Sequence, residues 1–131
     1  MSFEELEQTA IRMMDMSYCP YSHFRVGAAL QCSDGTVFTG CNVENAAYGP
    51  TICAERTAAV KAISEGHRDF QRIVIAGMSE DFCFPCGLCR QFLYEFAPDL
   101  EVTCLNGKGA SITISLRELL PRGFDQGFLQ E

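Results

Sequence analysis

Cys53-Ala54-Glu55 and, further along, Pro85-Cys86-Gly87-Leu88-Cys89 put three thiols and a carboxylate into two short segments. Three protein ligands leave the fourth tetrahedral position of zinc open, which is the arrangement of a catalytic rather than a structural site. A carboxylate two residues from a ligand then has a partner in the water that this open position accepts. Cys86 and Cys89, three apart on a first helical turn, project to one side and can hold one ion. Helix starts suit thiolates, because unpaired N–H groups and the positive dipole end lower a cysteine pKa, and Cys53 gains the same from its own helix. Three thiolates leave a zinc centre net negative, which weakens its acidity toward water; Arg56, turned toward the sulfurs, would offset that charge. Glu55 is expected to shuttle protons rather than bind metal. Hydrolysis at an amidine-like carbon needs one group that takes protons from water and gives them to a ring nitrogen and a departing amine.

The eight cysteines are at 19, 32, 41, 53, 83, 86, 89 and 104, an even count that would allow four disulfides. Eight in 131 residues falls below the roughly 8–10% of disulfide scaffolds, and nothing marks the chain for export, so metal binding accounts better for the spacing. Buried apolar thiols are the bland alternative for Cys53, Cys86 and Cys89. Cys19, Cys32, Cys41 and Cys104 are assigned to that class. Cys83 precedes Cys86 by three, but an iron–sulfur run would need a fourth cysteine where Leu93 stands. A closed structural zinc with Cys83 as fourth ligand is the rival binding-module reading, and it would leave Glu55 idle. His23 and His67 are spaced with no other ligand and read as solvent-facing or locally bonded.

The elements that must position these residues follow from pattern. Ser2 with Glu5 forms a capping box for a helix ending near Met16, with Leu6, Ala10, Ile11, Met13 and Met14 on its apolar face. Val26 to Cys32 and Thr36 to Val43 read as strands about the turn Ser33-Asp34-Gly35. Thr51 is the expected N-cap of a second helix through Ser64 or Glu65, stopped by Gly66. Small residues lie nearly all round that helix, which predicts burial on more than one face, in the sheet sandwich or across a subunit contact. Phe70 to Gly77 reads as a central strand and Cys86 to about Phe96 as a third helix ended before Pro98. Leu100 to Leu105 and Ser111 to Ile114 are further strands, and Leu116 to Leu120 a short last helix. Strands alternating with helices predict an α/β fold, a mixed sheet of about five strands with helices on its faces, and residues 1–131 are read as one domain.

Composition narrows the partners. The chain is 47% hydrophobic and 21% charged, with a net charge of −7 and ten scattered Lys and Arg. No basic stripe follows a phosphate backbone, so no nucleic acid is expected, and no apolar run reaches the roughly 20 residues that span a bilayer. The acidic start Met1-Ser2-Phe3-Glu4-Glu5 lacks a secretory pattern, and cytoplasmic residence is the expectation.

Cys-Ala-Glu followed by Pro-Cys-x-x-Cys is the cysteine form of the zinc deaminase signature. Together with Tyr21-Ser22-His23-Phe24-Arg25-Val26-Gly27-Ala28-Ala29-Leu30 and Gly40-Cys41-Asn42-Val43-Glu44-Asn45-Ala46-Ala47-Tyr48, it resembles the small homotetrameric cytidine deaminases over nearly the whole chain. The resemblance implies a single-domain three-layer sandwich and zinc-dependent hydrolysis of cytidine and 2′-deoxycytidine to the uridine products and ammonia, a reaction of pyrimidine salvage. It implies Zn2+ on Cys53, Cys86 and Cys89, Glu55 as general acid and base, and Arg56 against the ligand sulfurs. Asn42 and Glu44 would hold the ribose hydroxyls, Phe24 would pack on the base, and the backbone at Ala54 would meet the pyrimidine edge. Strand alternation also places Asn42 and Glu44 on one face. Ala46, Tyr48 and Phe124 resemble positions that reach a neighbouring subunit's site. Arg25 stands where the family often has Pro or Gln. A deaminase of a modified aminonucleoside such as blasticidin S is the alternative within the same zinc blocks.

Overall fold

Ser2 starts the first helix, α1 (Phe3–Met13): its hydroxyl accepts from the Glu5 N–H at 3.2 Å, and the Glu5 carboxylate accepts from the Ser2 N–H at 3.3 Å. This reciprocal bonding satisfies two donors that a helix start otherwise leaves orphaned. The computed structural model describes residues 1–129. After a 3-10 turn at Met14–Met16 come β1 (Val26–Cys32), β2 (Val37–Cys41), α2 (Ala54–Ser64), β3 (Phe70–Gly77), α3 (Gly87–Phe96), β4 (Glu101–Leu105), β5 (Ser111–Ser115) and α4 (Leu116–Leu119). The sheet order is β2-β1-β3-β4-β5. Among the strands of this sheet β3 and β4 pair in parallel, joined by the α3 crossover, and the other neighbours run antiparallel.

Alternation along β3 sorts the core into two. Ile73 and Ile75 face a larger cluster with Ala28 and Leu30 of β1, Ala54, Ala58 and Ala62 of α2, and Leu93 of α3. Val74 and Ala76 face the other way, onto Leu6 and Ala10 of α1. The sheet is therefore covered on both faces, a three-layer α/β sandwich as expected, which explains why β3 reads as an unbroken apolar run.

Several boundaries shift from expectation by one to three residues, and three of the shifts bear on the residues singled out for chemistry. β2 stops at Cys41 rather than Val43, because the Asn42 side chain takes over the pairing: its Oδ1 accepts from Val26 N–H at 3.0 Å and its Nδ2 donates to the Phe24 carbonyl at 2.7 Å. Asn42 and Glu44 thus lie beyond the strand, and strand alternation is not what orients them. α2 is capped by Cys53, not Thr51, whose hydroxyl instead accepts from Asn45 N–H at 3.1 Å. Likewise Cys86 is the cap residue before α3. Gly66, at φ 90°, follows the end of α2 as the sequence predicts. α2 buries Ala54, Ala58, Ala59 and Ala62 on its sheet side, while Val60 is exposed in the single chain.

The closeness of α2 to the sheet depends on Gly40. A Cβ there would lie 2.3 Å from the Ala54 carbonyl oxygen and 2.6 Å from the Ala58 nitrogen, so the helix backbone rests directly on the strand. That contact fixes the start of α2, where Cys53 and Glu55 stand. Among the described residues no helix is long and apolar enough to cross a membrane.

Candidate active site

Cys53 enters from the start of α2, Cys86 and Cys89 from the start of α3, and their sulfurs converge. Cys53 Sγ lies 3.6 Å from Cys86 Sγ, which lies 3.5 Å from Cys89 Sγ, and all three are within 4.8 Å of one another. Tetrahedral bonds of about 2.3 Å to zinc would set sulfurs roughly 3.8 Å apart, so the cluster has the dimensions of a three-thiolate site. Its chemistry calls for a cation as well. Cys53 ionises readily, held down to about 5 by a hydrogen bond from Cys89 against the opposing effect of burial, with Arg56 assisting. The same pairing, with burial, pushes the Cys89 thiol far up, so three thiolates need a metal to coexist. Arg56 Nη2 donates to Cys53 Sγ at 3.6 Å, and its buried Nε has no protein partner.

Cys83 does not join them. Among the described residues the metal-sized cluster consists of Cys53, Cys86 and Cys89. Cys83 packs over Gly77, its N–H bonded to the Leu105 carbonyl at 3.1 Å, and burial pushes its thiol up to about 12. This removes the closed four-sulfur module as a reading of the geometry. All eight cysteines are free; Cys32 and Cys104 are core residues, and Cys19 and Cys41 are partly buried. His23 is exposed, and His67 pairs with Asp34 at 3.3 Å and packs on Phe38.

Glu55 sits at 4% exposure beside the cluster. Burial is the main cause that raises its carboxyl to about 7; its own backbone N–H opposes this, and the neighbouring Cys53 thiolate adds to it. A carboxyl near neutrality can accept and return a proton within one turnover, as a general acid and base must. A cation on the sulfurs would favour its charged form.

A cleft of about 310 Å³ opens beside these groups, lined by Cys53, Ala54, Glu55 and Cys86 together with Phe24, Asn42 and Glu44. Four of the seven residues expected to meet a nucleoside, Phe24, Asn42, Glu44 and Ala54, thus line one cleft. Ser22, Val26, Thr51, Ile52, Cys83 and Phe84 also line it, and sequence reasoning assigned none of them to the site. Only the Ser22-x-Phe24 spacing, suited to a serine turn, carried a local signal. Ala46, Tyr48 and Phe124 are not among the lining residues. Tyr48, at φ 62° and 73% exposed, meets Tyr21 edge-on, and Phe124 stacks on Phe128 while its backbone pairs with the Gln91 amide. Arg25 is exposed, 4.0 Å from Asp15.

The family model for the cytidine and deoxycytidylate deaminase zinc-binding region matches residues 2–105. The chain belongs to this deaminase family. Among deaminase relatives, a probable cytidine deaminase of Dictyostelium discoideum is 51% identical over 130 residues, covering 96% of this chain and 88% of its own length. A cytidine deaminase of Halalkalibacterium halodurans is 46% identical, with 95% of each chain covered. The crystal structure of a cytidine deaminase from Burkholderia pseudomallei superposes with a TM-score of 0.91 at 44% identity, covering 95% of this chain and all of the other. Membership of a zinc-binding deaminase family agrees with the three-sulfur cluster and its adjacent carboxyl, both found independently in the fold.

Proposed function

We propose that this chain hydrolyses cytidine and 2′-deoxycytidine to uridine and 2′-deoxyuridine, releasing ammonia. The observation that carries this reading is a buried carboxyl, raised to about 7, beside three convergent thiols and lining a nucleoside-sized cleft. Cys53, Cys86 and Cys89 hold zinc, and Arg56 offsets their charge. Zinc held by these residues would supply the Lewis acidity that makes a water molecule more acidic. Glu55 would take the first proton of the attacking water and deliver it to ring N3, then take the second from the hydroxyl added to the ring carbon and pass it to the departing amine. Its burial excludes bulk water, so neither proton is lost in transit. Asn42 and Glu44 hold the sugar hydroxyls, Phe24 lies on the base, and the Ala54 backbone meets the pyrimidine edge. This sugar-directed pair favours plain nucleosides over blasticidin S.

Four chains would assemble, with Ala46, Tyr48 and Phe124 of one completing the cleft of another; the exposure of Tyr48, Phe124 and Val60 supports that reading. Residues 1–131 would act as one catalytic domain, in the cytoplasm, returning nucleosides to pyrimidine salvage. Incubation of zinc-loaded protein with cytidine, deoxycytidine and blasticidin S, followed by ultraviolet absorbance and ammonia release, tests the activity. Turnover of the two cytidines is expected; absence of turnover on all three would overturn the enzyme reading. Sedimentation measures the assembly, and a monomer that retains full activity would refute the shared-site reading.

A further inference from the structure

Glu44 lines the cleft half-buried, and three donors hold its carboxylate from one side. Its Oε1 accepts from the Tyr21 N–H at 3.0 Å and the Ser22 N–H at 3.1 Å, and its Oε2 accepts from the Ser22 hydroxyl. The Ser22 hydroxyl is itself fixed, because its oxygen accepts from the Phe24 N–H at 3.0 Å. Between these two residues His23 adopts φ 59°, the left-handed region, with its own N–H bonded to the Cys19 carbonyl at 2.9 Å. A non-glycine residue kept in that conformation marks a loop whose shape is over-determined by its surroundings, and here the shape turns the Phe24 N–H back onto Ser22.

We propose that Ser22 is a positioning residue for nucleoside binding: its hydroxyl, oriented by the Phe24 N–H, fixes the Glu44 carboxylate so that its remaining lone pair meets the sugar. A carboxylate offers about four acceptor sites, and the loop fills three of them, so what is left to a ligand is directional. The Ser22 hydroxyl is also the leading cause that holds the Glu44 carboxyl below its ordinary range, which keeps it a pure acceptor. This inference rests on the deaminase reading and on Glu44 as a sugar contact, and adds to it the group that orients the contact.

Steady-state kinetics of the zinc-loaded full chain test it. Ser22→Ala should raise KM for cytidine about tenfold with kcat within about twofold, the pattern of lost binding that is shared by ground and transition states. Ser22→Thr, which keeps the hydroxyl, should stay within about threefold of the parent KM. In a Glu44→Ala background, Ser22→Ala should change KM less than about twofold, since no carboxylate remains to be held. The same insensitivity is expected for the inhibition constant of 2′,3′-dideoxycytidine, which lacks the 2′ and 3′ hydroxyls of the sugar. An unchanged KM in Ser22→Ala, or an equal rise in the Glu44→Ala background, would refute the positioning role. A carboxyl titration followed by NMR reads the same contact without turnover. Because the folded-state pKa of Glu44 is depressed, its contacts contribute fully above the unfolded pKa and are lost as pH falls through the folded value. Ser22→Ala should move that midpoint upward; an unmoved midpoint counts against the role. Lack of cytidine turnover by the unaltered protein would instead sink the deaminase reading, with the titration still deciding the Ser22–Glu44 contact.

Discussion

Gly40→Ala is the substitution that most directly tests how the fold places its reactive groups. The added methyl would sit 2.3 Å from the Ala54 carbonyl oxygen and 2.6 Å from the Ala58 nitrogen, both backbone atoms of α2. Ordinary contact begins near 3.4 Å, so the helix must retreat by roughly 1 Å, a strain of about 1–3 kcal/mol for overpacking at a rigid contact. In a chain of this size that lowers the melting temperature by roughly 4–15 °C. The retreat also carries the start of α2, and with it Cys53 and Glu55, away from Cys86 and Cys89. Metal–ligand distances tolerate only about 0.2 Å, so zinc affinity should fall at least about tenfold along with stability. Differential scanning fluorimetry and competition against a chromophoric zinc chelator measure the two effects. Gly49→Ala is the control: its Cβ would meet nothing nearer than an Ala47 oxygen at 4.0 Å, and its stability should stay within about 0.5 kcal/mol of the parent. Parental melting and zinc affinity in Gly40→Ala would refute the argument that this glycine sets the position of α2.

Further outcomes follow from the site. Glu55→Gln should keep one zinc per chain by metal analysis yet lose activity by about 10²-fold or more, since the amide cannot carry protons; loss of zinc in this variant would make Glu55 a ligand. Cys83→Ala should leave zinc stoichiometry and affinity unchanged within about threefold, because its thiol lies outside the cluster. A tenfold loss there would restore the four-sulfur site. Removing zinc with a chelator should lower stability by about 2.7 kcal/mol relative to protein held at a hundredfold excess of free zinc over its dissociation constant. A melting curve that does not move would mean that the cluster holds no metal.

Much of this was legible in the sequence where one local signal had one reading. The Ser2–Glu5 capping box, the Gly66 stop and the apolar run of β3 each depend on short-range chemistry, and each lies where it was expected. The cysteine and glutamate spacing likewise foretold the cluster. Failures came where a side chain took over a backbone role. Thr51 is a better cap by type than Cys53, but its hydroxyl was already committed to the Asn45 N–H. Asn42 ended β2 by bonding across the sheet edge, a tertiary contact that no periodicity encodes. The cleft's wall at Val26, Ile52 and Phe84 was illegible for a related reason, since apolar residues look alike whether they fill a core or face a ligand.

The two ligand cysteines that cap α2 and α3 make no side-chain bond to the first-turn N–H groups of their own helices. A serine or aspartate in either place would close off those donors; a thiol leaves both helix starts unfinished. An ion seated on the sulfurs would therefore act as a clasp between two helix ends that lack side-chain caps. Loading the metal and winding the first turns of α2 and α3 become one cooperative event, and amide hydrogen exchange at those turns should quicken together when the clasp is removed.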